Sequence, residues 1–549
     1  MSAPFAPADR RDPLHDPGLT GEHWSTDNVG EAAPGVLTPL TWSVWGDYGN
    51  RAMCELAYRL GAFSRAERDS DHRWVRIFYG RIALQMEYLA LVGDRLPGTS
   101  AEEVLTSIFG RVPEGIVSSP TRRRYPVIAA RMPIVFAAVP RQIRALARDA
   151  ESWWRSETPR LGGADQAAAT AILAGALERF GHAVTLQSIG LLGVIQPLYD
   201  AVAQLVARTG VGELGVLSGS GGAEMAIVGD LWKASRGQLA LEQVVANHGF
   251  HGPREGELCA RVWREDSAPL ERLIADYAEQ DSLSDPGGMD QESRARRAVM
   301  HRELLAALPR ARRPAVRVLL SLAADRIPLR GVAKRAFLQS LDVARASARR
   351  LGEHLTAQQL IDDPEDVFYL LADELIGELP RDTKELVSVR RERRLEYEAL
   401  ALPGNWKGTP AEQRVDDFGK AAKTSDLEPV SGLGVSGGVV EGTVRVVTDP
   451  AFADVEPGEV LVSATTDPSW SSIMFISAAL VVDIGSALSH AAVVARELGI
   501  PCVVNTRVGT RSLQTGDLVR VDGSAGTVEI LLRGPRPVSR PARDAAVSG

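Results

Sequence analysis

GSALSHAAVVARELGIPCVV, residues Gly485 to Val504, decides how the C-terminal quarter of the chain is read. The valine-rich run ALVVDIG before it predicts a strand, Gly485 marks a turn, and a helix opens at Ser489 and His490. Ser489 is a good N-cap, because its hydroxyl can accept from a free amide of the first helical turn. The unpaired amides and the dipole at that end favour negative charge, so a phosphoryl group on the His490 ring would be well placed there. Imidazole can also attack as a neutral nucleophile at pH 7 and then leave. The plainer alternative is a histidine that only packs at a helix start.

Working outward, GEVLVSAT, IPCVVN and LVRVDGSAGTVEILL are further short runs bounded by Gly, Pro or Asp. The helical segments SWSSIMFISA and SHAAVVARELG alternate with them. This alternation predicts a compact α/β unit over residues 436–533, entered through a linker at 426–435. From about residue 45 to 400 apolar residues recur at three- and four-residue spacing almost everywhere, as in RQIRALARDAESWWR and KRAFLQSLDVARASARRLGEHL. A large α-helical body over 21–425, in two subdomains, follows from that periodicity. Residues 1–20 and 534–549 read as loose tails.

Composition narrows the function. The 549 residues carry 62 basic and 70 acidic side chains, a net charge of −8, which argues against a nucleic-acid partner. Three scattered cysteines, Cys54, Cys259 and Cys502, give neither a disulfide framework nor a thiolate metal site and fit a reducing cytoplasm. No signal peptide is legible, and the apolar region from Ala183 to Tyr199 is too short and too polar to predict a membrane span. His248, His251 and Glu255 sit in a segment broken by glycine and proline, without a helical metal frame, so no metal is expected. The glycines at 219–222 lack the lysine of a phosphate-binding P-loop. The tryptophans, Trp42, Trp45, Trp153, Trp154 and Trp263 among them, are expected to fill a helical core or line an apolar pocket.

The stretch from about 428 to 532 resembles the swivelling phosphohistidine domain of phosphoenolpyruvate-utilising enzymes. GVSGGVVEGTVRVV, GEVLVSATTDPSW, LVVDIGSALSHAAVVARELGIPCVV and VDGSAGTVEI carry the likeness. It implies that His490 carries the phosphoryl group, cradled by the helix start at Gly485 and Ser489. The body resembles the substrate-binding part of the same enzymes in NVGEAAPGVLTPLTWS (28–43), HGPREGELCARVWRED (251–266) and RRLGEHLTAQQLIDDPEDVFYLLADEL (349–375). In that family an Arg and a Lys four residues later contact the transferred group, and Arg330 and Lys334 match them. The i to i+4 spacing puts both cations on one helix face. The neighbouring Arg310–Arg313 run reads as a solvated basic face.

Two departures concern the acceptor site. The family's RExPK appears here as RGVAK, with Gly331 in the Glu place. Its Gly-His-Arg-Gly turn appears as Gly249-Phe250-His251-Gly252. Glu255 and His251 are rival candidates for the base that takes a proton from an acceptor hydroxyl; each could equally serve as a turn residue. The family's ATP-grasp and phosphoenolpyruvate-binding domains find no counterpart in this sequence. The resemblance therefore implies that ATP and Mg²⁺ act through a separate ATP-grasp subunit and that this chain binds no cofactor itself. Three readings remain: a phosphotransferase component acting on a bulky organic acceptor, a condensing or dehydrating enzyme of the prodigiosin-synthetase kind, and a binding pseudoenzyme.

Overall fold

The computed structural model describes all residues except 1–6, 8, 18–20, 27–28, 110–111, 212–221, 280–285, 415–428, 449–454, 467–469, 488 and 535–549. All of the expected C-terminal tail but Gly534, nearly all of the 219–222 glycine run and the start of the expected linker lie outside the described residues. A large helical body precedes a C-terminal α/β sheet region. The body is organised around the helix Leu329–Ala357, which packs on Tyr125–Arg160, Gln166–Gly190 and the 3₁₀ turn Pro364–Tyr369. Apolar residues at helical spacing, such as Phe337, Leu341, Ala344, Ala348 and Leu351, are buried along its inner face.

Gln166–Thr209 is a continuous helix with a π turn at Leu191–Ile195. By length and composition alone it could cross a membrane, but Leu173, Leu177, Phe180 and Ala183 are buried in the body's main core. Its apolar character is that of a central core helix.

Two sequence expectations are corrected here. The helical pattern is interrupted by a four-stranded antiparallel sheet, in the order Val75–Phe78, Arg81–Gln85, His23–Ser25, Asn405–Lys407. Tyr79 (φ 46°) and Gly80 (φ 73°) make the two-residue turn of its hairpin, the left-handed pair whose twist suits adjacent strands. The N-terminal tail is also docked where it is described. Leu14 is fully buried, Asp16 pairs with Arg76 at 2.7 Å, and Arg10 pairs with Asp373 at 2.7 Å.

The C-terminal unit is an eight-stranded sheet. Its order is Val430–Ser431, Thr527–Leu532, Leu518–Asp522, Val439–Val446, Val460–Ser463, Ala479–Val482, Cys502–Val504, Leu433–Ser436. Residues 430–435, expected as linker, thus supply one strand, Val430–Ser431, and most of another, Leu433–Ser436. The centre is parallel and buried on both faces, which explains its valine-rich runs. One face, with Leu461, Leu480 and Val504, packs on the helices Ser471–Ile476 and His490–Leu498. The other, with Val460, Val462 and Val481, is covered by Val519, Val521 and Val528 of the antiparallel strands.

Candidate functional site

His490 begins its helix directly after the turn that follows the strand Ala479–Val482. Ser489 has extended backbone (φ −64°, ψ 167°), and its hydroxyl accepts from the Ala492 amide at 3.4 Å. A Cβ on Gly485 would stand 3.1 Å from Ser489 Oγ and 3.2 Å from Val504 Cβ, so the turn closes tightly over the cap. The strand end is fixed by Asp483, which accepts from Thr506 Oγ1 at 2.7 Å and from the Gly509 amide at 2.5 Å.

The His490 ring is 3% exposed and faces the body. Burial, then the charges of Lys334 and Arg330, push its pKa down to about 3, opposed by Glu255. The imidazole is therefore neutral near pH 7, as a nucleophile must be. Arg330 and Lys334 lie in the first turns of Leu329–Ala357, on the face turned to the C-terminal unit.

On the body side, Lys334 Nζ lies 2.8 Å from Glu255 Oε1, and His251 Nδ1 lies 2.7 Å from Glu255 Oε2. His251 and Glu255 are 7% and 5% exposed. Burial alone would raise the Glu255 carboxyl, yet Lys334 and His251 outweigh it and hold the pKa down at about 2. Glu255 is thus a carboxylate paired at once with Lys334 and with the His251 ring. His248, held at 3.0 Å by Asp230, is pushed down to about 4 by burial and then by His251.

The turn carrying these groups is anchored by residues whose role the sequence did not disclose. Arg345, fully buried, donates to the carbonyls of Glu255, Glu257 and Leu258. Glu257, also fully buried, accepts from the Thr38 amide at 3.0 Å, the Thr38 hydroxyl at 2.7 Å and the Thr41 hydroxyl. The stretches 28–43 and 251–266, quoted separately above, are therefore two halves of one structure. A Cβ on Gly256 would fall 1.9 Å from the Ala32 carbonyl oxygen, which requires glycine at that contact. The threonines of LTPLTW and the acidic pair in REGE were the available signals, but nothing in the chain order said that they met.

Phe250 fills apolar space against Trp154, with ring centroids 5.3 Å apart. It is a packing residue at this turn, and the adjacent His251 presents the imidazole. Gly331 is buried in the first turn of its helix. No group of metal-ligating side chains occurs among the described residues.

Residues 455–526 match the family described as PEP-utilising enzyme, mobile domain, and residues 224–331 match the rifampicin phosphotransferase fourth domain. An uncharacterized Mycobacterium tuberculosis protein is 38% identical over 214 residues, 38% of this chain and 24% of that one. The uncharacterized phosphotransferase YvkC of Bacillus subtilis is 36% identical over 200 residues, 35% of this chain and 24% of its own length. The rifampicin phosphotransferase of Streptomyces sviceus is 30% identical over 308 residues, 53% and 34%. The matched region thus spans only about a quarter to a third of these relatives. The chain is thus similar to the phosphoenolpyruvate-utilising enzymes over its mobile-domain segment and to the rifampicin phosphotransferases over residues 224–331.

Proposed function

We propose that this chain is a phosphotransferase component in which His490 carries a phosphoryl group to a hydroxyl of a small, bulky organic acceptor. The carrying observation is the meeting of a buried, neutral His490 at a helix start with Arg330, Lys334 and the His251–Glu255 pair across the two units. The related rifampicin phosphotransferases lend support to the reaction class.

In the transfer, the P–N bond at His490 breaks as the acceptor oxygen forms the new P–O bond. The hydroxyl proton passes to His251, whose ring Glu255 orients and whose positive charge Glu255 then offsets. Arg330 and Lys334 neutralise charge on the transferring group, and Lys334 has donors enough to hold Glu255 and a phosphoryl oxygen together. A histidine 3% exposed in this position is inaccessible to a phosphoryl donor, so loading takes place with the C-terminal unit swung away from the body. We assign the loading to a separate ATP-grasp protein that handles ATP and Mg²⁺ in the cytoplasm.

The test is to incubate the chain with ATP, Mg²⁺ and ATP-grasp proteins from the same source. Acid-labile, base-stable label on His490, abolished in His490→Asn, is expected. Arg330→Ala and Lys334→Ala should accept label yet fail to discharge it. Absence of label with every partner tried would overturn the reading.

A further inference from the structure

The helix that begins with His490 is met by the body at both ends. At its start the ring faces Arg330 and Lys334. Its other end, nine residues and about 13 Å away, meets the body helix Pro286–Ala306. The turn at that end is closed locally. Gly499 takes the left-handed conformation (φ 70°) and its amide donates to the Ala495 carbonyl, as does the Ile500 amide at 3.0 Å. The last carbonyls of the helix, Glu497 among them, receive no amide of their own helix.

Ser293 and Arg296 bring donors to this end. Ser293 is 1% exposed, and its hydroxyl donates to the Glu497 carbonyl at 3.3 Å. Arg296, three residues on and on the same helix face, donates from Nη2 to Ser293 Oγ at 3.2 Å. Its guanidinium also approaches Gly499: a Cβ there would stand 3.3 Å from Nη1 and 3.9 Å from Cζ. Glycine at this position therefore serves the turn and leaves room for the cation. A cation at the C-terminal end of a helix faces the negative end of its dipole. A hydroxyl that accepts from a guanidinium is in turn a stronger donor to the carbonyl.

The geometry points to Ser293 and Arg296 as a catch on the body for the far end of the helix His490–Leu498, positioning residues that hold the ring at Arg330 and Lys334. A short rigid helix gripped at its last turn aims its first residue. Exact aim matters to the transfer proposed above, on which that use of the catch rests, because reacting groups tolerate little misplacement. Docking itself involves neither a phosphoryl donor nor an acceptor, and is tested without them.

The full chain is treated with diethyl pyrocarbonate, which acylates accessible neutral imidazoles, and modification of each histidine is followed by mass spectrometry. His182, exposed on the body, is the internal reference. In the parent, His490 should react much more slowly than His182. Ser293→Ala should speed modification of His490 about threefold to tenfold, the equivalent of one hydrogen bond lost from the docked state. Arg296→Ala should also react faster than the parent, and Arg296→Glu, which sets a negative charge against the same helix end, faster still. Arg302→Ala, exposed on the same helix and without an ion pair among the described residues, should match the parent. Melting temperatures and the His182 rate should stay the same throughout, which separates release of the unit from unfolding. The assignment is overturned if Ser293→Ala and Arg296→Glu leave His490 at the parent rate. It is equally overturned if Arg302→Ala speeds the reaction as much, or if His182 accelerates in step with His490.

Discussion

At the residue scale the decisive group is an imidazole kept uncharged by burial and by two nearby cations. In the folded chain the His490 pKa is about 3, against an ordinary value of 6.5. The unfolded chain therefore binds the extra proton between those values, and stability falls as pH drops from about 6.5 toward 3. At pH 5 the loss attributable to this ring is about 2 kcal/mol relative to pH 7. Urea unfolding at the two pH values should show His490→Gln losing less stability than the parent by about that amount; equal losses would show that the ring is not buried against Lys334 and Arg330. His248, depressed to about 4, adds a similar trend in both proteins and cancels in the difference. In the proposed reaction the cations that repel a proton from His490 would attract a phosphoryl group on it, so one arrangement would serve both the neutral nucleophile and its loaded form.

At the scale of elements, the acceptor-side turn is built from two distant stretches locked by buried polar groups. Arg345 holds the carbonyls, Glu257 collects the Thr38 and Thr41 hydroxyls, and Gly256 lets the turn touch the Ala32 carbonyl. Gly256→Ala places a methyl where backbone already stands, so the turn must move. A loss of about 1–3 kcal/mol in thermal stability is expected. His490 should still take label in this variant while discharge slows, because the displaced turn carries Glu255 and His251 but not the carrier. Normal discharge at unchanged melting temperature would show that the turn tolerates the displacement.

At the scale of the whole molecule, the C-terminal unit meets the body through an aromatic ring, an arginine and a serine hydroxyl, among other contacts. Phe475 packs with the body's aromatic cluster of Trp263, Leu273 and Tyr277, its ring 6.0 Å from that of Tyr277. Arg496 lies over Tyr199 at 5.8 Å and donates to the Ala487 carbonyl. For the proposed shuttling of the unit, this aromatic contact would help to define the docked position and still be weak enough to release. Phe475→Ala is expected to shift the population toward the released position. Loading of His490 should then quicken and discharge slow, each by several-fold, read from the two half-reactions separately. Identical half-reaction rates would mean that this ring does not set the docked population.

The sequence by itself determined the α/β character of the C-terminal unit, because strand runs buried on both faces must be continuously apolar and the cap at Ser489 is a local hydrogen bond. It also marked Arg330 and Lys334 as cations on one helix face, since four-residue spacing is a local property. Local signals did not show the hairpin of Val75–Gln85 within a helical stretch, nor the strands that begin at Val430 and Leu433, since short strands take their identity from distant partners. Only the tertiary structure decided that His490, Lys334, Glu255 and His251 meet, and that Glu255 pairs with both Lys334 and His251. Proton affinity in a buried cluster is set by neighbours far away in the chain, and those neighbours are chosen by packing.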